Sequence, residues 1–274
     1  HHGEKIMNKA TMTLMILFGL AACSPPANKS ANDTAVEAPT DAAESSQAAP
    51  EIAVIEYVWH RKGAEYSDEK LADLLIKWNA LVDTAGYDIN RANILTPHVE
   101  SDRYDFIWVM TFPSMDVRNA VWDDWMANHA EEWDATIAGI MSYNTEDIYA
   151  FKPTVKRQPS VINDDNTFEN EFNFCNYNEG YGEQDLADFE TQFAAFIDAS
   201  DATNGANGYY YVMLEPYFEG TEDNPQADYL WLNLWSNGDE KAAGYANYEA
   251  SDLPQVADAF STCNRVAFAG QQIR

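Results

Sequence analysis

A helix-length segment recurs within this chain, and a duplication limits the possible folds more than any single motif does. Leu71 to Asp83 aligns with Leu186 to Asp198, with identity at Leu71/Leu186, Ala72/Ala187, Asp73/Asp188, Ala80/Ala195 and Asp83/Asp198. In both copies apolar residues return at helical spacing: Leu71, Leu74, Leu75, Trp78, Leu81 and Val82 in the first, Leu186, Phe189, Phe193, Phe196 and Ile197 in the second. Each therefore predicts a helix with one buried face. Ser67 ahead of Asp68 and Glu69 reads as a helix start, and Gly86 as its stop. The correspondence continues downstream. Leu95 to Glu100 matches Leu214 to Glu219, Asp105 to Phe112 matches Asp228 to Trp235, and Trp122 and Trp125 match Tyr245 and Tyr248. A strand precedes each first helix (Ile52 to His60, Phe168 to Tyr177), and a last strand closes each copy (Asp147 to Phe151, Arg265 to Ala269). Residues 51–153 thus form one repeat, 154–167 a connector rich in Pro, Asp, Asn and Lys, and 168–274 a second repeat.

Strand, helix, strand, strand, helices, strand is the order of the ferredoxin-like split βαβ. Two such halves in one chain resemble the dimeric α+β barrel superfamily. That resemblance implies an α+β fold in which two four-stranded sheets face each other with helices outside. One chain then supplies both sheets, so a monomer suffices for the barrel.

The N-terminal region points to export. From Met7 a short stretch with one Lys leads into the apolar run Met12 to Leu20, too short for a permanent span of about 20 residues but suited to a signal peptide. It closes on Leu20-Ala21-Ala22-Cys23, which resembles a bacterial lipobox and implies diacylglycerol on Cys23. His1 to Ile6 lie upstream of the start. Ser24, with no Asp beside the cysteine, resembles the outer-membrane class of Gram-negative lipoproteins, facing the periplasm. Residues 24–50 carry almost no large apolar side chain and read as a disordered tether. With Cys23 spent on lipid, Cys175 and Cys263 remain, and in an oxidising compartment such a pair bridges. The barrel resemblance makes their strands neighbours, and aligns Cys175 with Val58 of the first repeat.

The formal net charge is −29, and only Lys241, Arg265 and Arg274 are basic beyond position 168. Nucleic acid as a partner requires clustered Lys and Arg, so it is excluded, and the charge reads as a solvated acidic surface. No CxxC, HExxH, P-loop or nucleophile elbow occurs, and no metal is expected. The acidic stretches Asn163 to Asn166 and Glu222 to Asn224 lack the spacing of a calcium loop. The chlorite dismutase and dye-decolorising peroxidase groups of the superfamily hold haem through a histidine of their C-terminal half. Here His60, His98 and His129 all lie in the first repeat, so no cofactor of that kind is expected.

Alternation along the third strand of each repeat separates two faces. Leu230, Leu232 and Leu234 are expected under the helices. Tyr229, Trp231, Asn233 and Trp235, with Phe106, Trp108, Met110 and Phe112 in the first repeat, are expected to look into the space between the sheets. Candidate ligand-binding residues are therefore Trp108, Met110, Phe112, Trp231, Asn233, Trp235, Tyr211 and Glu215, with Asn173 or Asn176 contributing from the preceding strand. Three function classes follow. The favoured one is a binding module holding a small apolar or aromatic ligand. The second is a solidly packed structural or partner-binding lipoprotein. The third is a cofactor-independent monooxygenase-like enzyme using Glu215, Asn173 or His60, since some relatives of this fold place Asn, Tyr and Trp around phenolic substrates.

Overall fold

The computed structural model describes residues 52–221 and 225–274. The expected signal peptide, Cys23, the expected tether and the trio Glu222 to Asn224 lie outside the described residues. The first repeat comprises β1 (Val54–Lys62), α1 (Asp68–Ala85), β2 (Arg91–Pro97), β3 (Phe106–Phe112), α2 (Met115–Asn128), α3 (Ala130–Ile137) and β4 (Met141–Arg157). The second comprises β5 (Thr167–Tyr177), α4 (Glu183–Asn204), β6 (Tyr210–Pro216), β7 (Tyr229–Trp235), α5 (Gly238–Glu249), α6 (Leu253–Phe260) and β8 (Ser261–Gln272). The fold is α+β, two ferredoxin-like repeats in one chain.

Local signals act where expected. The Ser67 side chain accepts from the Lys70 N–H at 3.2 Å to start α1, and Gly86 ends that helix at φ 68°. Ser114 and Asn237 cap α2 and α5 in the same way. The apolar face of α1 buries Leu74, Trp78 and Val82.

The strand order is β4-β1-β3-β2 in the first sheet and β8-β5-β7-β6 in the second, all neighbours antiparallel. Pairing of β2 with β8 and of β4 with β6 joins the sheets into one closed barrel, which leaves no free edge. β4 serves both sheets: it pairs with β1 as far as Phe151 and continues beside β6 from Phe151 to Arg157. The expected connector from residue 154 is therefore partly strand. Past Phe151 only β6 lies alongside, so the missing N–H of Pro153 leaves one side unpaired at no loss. Gly270 on β8 admits the Phe168 ring to the barrel interior, since a Cβ there would sit 2.3 Å from it.

Three apolar clusters result. One joins strand residues of both repeats with no helical member, Tyr57, Ile107, Val109, Phe172, Leu232 and Phe268 among them, and fills the barrel. The other two lie outside the barrel, each between one sheet and its own helices. Trp78 of α1 meets Trp108 at 5.1 Å, and Phe193 of α4 meets Trp231 at 5.3 Å. The face assignment made from sequence is thus reversed. Trp108, Met110, Phe112, Trp231, Asn233 and Trp235 face helices, and Leu230, Leu232 and Leu234 face the barrel interior. The physical reason is polar pairing. Glu56 and Glu171 lie on the same face as these residues and, among the described residues, find partners only on helices, Arg118 and Trp122 of α2 and Lys241 and Tyr245 of α5, whereas the strand-lined interior supplies none.

Candidate functional site: a cavity between the sheets

Reversing the faces does not abolish a space between the sheets. A cavity of about 790 Å³ opens at the barrel end where β1 and β5 finish, within the range of ligand pockets. Its inner wall includes Tyr57, Ile107, Phe172, Leu214, Leu230 and Phe268. The rings stand edge to face, Tyr57 against Phe172 at 5.4 Å and Phe172 against Phe268 at 5.7 Å. At the mouth Arg103 lies over the Trp59 ring at 4.3 Å, and Phe174 is partly exposed. The space continues outside the barrel past Met213 to Leu186 and Glu190 of α4, where Lys156 pairs with Glu190 at 3.0 Å.

Electrostatically the inner wall is neutral. Burial pushes the Tyr57 phenol far above its ordinary range, with Tyr210 nearby adding to the effect, so it remains a hydroxyl. Burial raises Tyr104 and Tyr149 as well. Charged groups stay at the rim, where Glu215 pairs with Lys152 at 3.4 Å while both remain exposed.

Of the candidate ligand-binding residues, Glu215 and Asn176 reach this cavity, and Tyr229, expected to look between the sheets, borders it too. Trp231, Asn233, Trp235 and Asn173 come together in a different place, a pocket of about 130 Å³ under α4, α5 and α6, rimmed by Arg265. Tyr211 stacks on Trp231 on the same side at 4.2 Å. The Asn233 Oδ1 accepts there from Tyr209 Oη and from Trp231 Nε1, both at 2.8 Å. Trp108 and Met110 border a third, smaller void of about 50 Å³ under the helices of the first repeat, while Phe112 is wholly buried.

Two features escaped the sequence reading. The first is the inner wall itself, whose leucines had been assigned to the helix side. The second is a pair of buried carboxylates at equivalent positions. Glu56 on β1, opposite Met110, accepts from Arg118 Nε and from Trp122 Nε1, the latter at 2.8 Å. Glu171 on β5, opposite Asn233, accepts from Tyr245 Oη and faces Lys241 at 3.5 Å. Burial outweighs Arg118 and raises the Glu56 pKa, and Glu171 shows how the second repeat rebuilds the same anchor between first strand and helix. An acidic residue inside an otherwise apolar strand was the available signal. The same register corrects the alignment of Cys175. His60 pairs with Phe106 as Cys175 pairs with Tyr229, so His60 and not Val58 is its counterpart. Cys175 and Cys263 are cross-strand partners with sulfurs at bonding distance, 2.02 Å.

No protein-family model matches the sequence, and no curated protein matches it. Solved structures with a similar arrangement include a mutant chlorite dismutase from Candidatus Nitrospira defluvii (6% identity, TM-score 0.47, covering 81% of this chain and 93% of that one). Others are an anthrone oxidase-like protein (10%, 0.46, 82% and 92%) and a heme-binding protein from Thermus thermophilus (12%, 0.42, 81% and 91%). At these identities the likeness is one of fold.

Proposed function

We propose that this chain is an exported lipoprotein, anchored through Cys23 at the outer membrane and facing the periplasm, whose barrel binds a small uncharged apolar or aromatic ligand between its two sheets. The observation that carries the binding reading is the cavity of about 790 Å³ with an aromatic, neutral inner wall. A solidly packed scaffold would fill that space. The Cys175–Cys263 pair suits an oxidising compartment.

Binding is tested with a neutral aromatic dye, N-phenyl-1-naphthylamine, and the Leu230→Trp variant, which places an indole in the cavity. Wild type gives saturable fluorescence enhancement, and the variant loses affinity by ~10-fold or more, about 1.4 kcal/mol. Trp231→Phe, on the other side of the same strand, keeps wild-type binding. Equal affinity for wild type and Leu230→Trp, with both folded by circular dichroism, would refute the site. Anchoring is tested separately by Cys23→Ser: loss of acyl label and release from the membrane fraction are expected, and retention of both contradicts the lipid anchor.

A further inference from the structure

The void under the helices of the first repeat is small, about 50 Å³, yet it exceeds the ~10–15 Å³ that one water requires on such a measure. Its lining is mostly indole and aliphatic, and the hydroxyls of Tyr87 and Tyr143 that border it are engaged with Asp124 and Trp125. His60, 5% exposed, has Nδ1 at 2.9 Å from the Val58 carbonyl. A carbonyl can only accept, so the proton sits on Nδ1 and the Nε2 lone pair is bare. Among the described residues nothing donates to it. Trp108, 3% exposed, has its Nε1–H buried and unpartnered among the described residues. The two rings lie 5.6 Å apart, centre to centre, and both border the void. Two other indoles around it have partners: Trp122 donates to Glu56, and Trp125 to the Tyr143 hydroxyl at 3.4 Å.

The second repeat shows how such an indole is satisfied internally. Trp231 occupies the position of Trp108, and its Nε1–H is taken by Asn233, two residues along the same face. The first repeat has Met110 there, whose thioether is a weak acceptor. Where the second repeat has Cys175, closed by its bond to Cys263, the first has the open imidazole of His60. A buried indole N–H with no acceptor is unfavourable, so a guest that accepts from Trp108 is stabilising.

We infer that this void is a binding site for a small uncharged protic guest, water or a molecule of methanol size, which accepts from Trp108 Nε1–H and donates to His60 Nε2. Charge is excluded by the lining, which offers no free counter-ion: Glu56 is already held by Arg118 and Trp122. The site is independent of the barrel cavity, which lies on the other side of β1 and β3.

The test is NMR on the full-length chain labelled with ¹⁵N-Trp and ¹⁵N-His. The Trp108 indole proton is expected to give a cross-peak to bound water, or a saturable shift on titration with methanol, together with a hydrogen-bonded His60 Nε2 resonance. The first result identifies water as the guest, and the second an exchangeable pocket. Trp231, satisfied by Asn233, shows neither in the same spectrum and serves as the internal control. Met110→Asn supplies the missing acceptor and removes both signals. If that variant fails to fold, the wild-type readings decide alone. A Trp108 indole with no water contact and no methanol response overturns the site.

Discussion

The two repeats share one scaffold and satisfy its buried polar groups differently. Trp108 and Trp231 occupy the same place, as do Glu56 and Glu171, Arg118 and Lys241, and Trp122 and Tyr245. Yet His60 stands where Cys175 lies at bonding distance from Cys263, and Met110 where Asn233 accepts two hydrogen bonds. Apolar bulk at these positions is set by the gap between sheet and helices and so repeats. Hydrogen-bond partners are a local matter, and either repeat can change them if the buried groups remain paired or hold a guest.

Three measurements press on this comparison, taken from the largest effect to the smallest. The cross-link should matter most. Its loop spans 88 residues, for which loop-closure entropy gives about 4–5 kcal/mol. Urea unfolding of the Cys175→Ala/Cys263→Ala double variant should show a loss of that order, and a loss under ~1 kcal/mol would mean that the second repeat does not rely on its bond.

The carboxylate anchors come next. Removing Arg118 strands a fully buried charge, so Arg118→Leu should cost about 3–5 kcal/mol. Lys241 is a looser partner at 3.5 Å, and Tyr245 remains on Glu171, so Lys241→Leu should cost less than ~2 kcal/mol. Equal losses in the two variants would contradict the ranking of the anchors.

The third measurement uses pH. Burial lowers the His60 pKa from 6.5 to about 4, only partly offset by its bond to the Val58 carbonyl. The unfolded chain therefore binds the proton first as pH falls. Stability from this group is complete above pH 6.5 and declines towards pH 4, by about 3 kcal/mol in all. Glu56, whose pKa is raised, acts in the opposite direction at the acid end of that window. His60→Phe should flatten the decline between pH 6.5 and 4, and an unchanged slope would place His60 in a solvated setting.

Much of the architecture was legible beforehand because it is carried by local and repeated signals. Apolar spacing at Leu74, Trp78 and Val82, the caps at Ser67 and Gly86, and the matched segments 71–83 and 186–198 prescribe helices and a duplicated βαββαβ order wherever the chain goes. The candidate site was far less legible. Glu215 and Asn176 alone, of the residues proposed for it, reach the barrel cavity. The alignment of Cys175 with Val58 was two residues off, an error that alternation cannot expose, because a shift of two returns every side chain to its own face.

What the amino-acid order determined by itself was the set of elements, their duplication, and the division of each strand into two unlike apolar faces. Which face turns inward was decided only when the helices docked and β2 met β8 and β4 met β6, since helix side chains supply the partners for the polar groups of one face. Periodicity encodes difference between faces but not direction. The sign comes from which face finds its polar partners, and those partners are brought together only in the assembled protein.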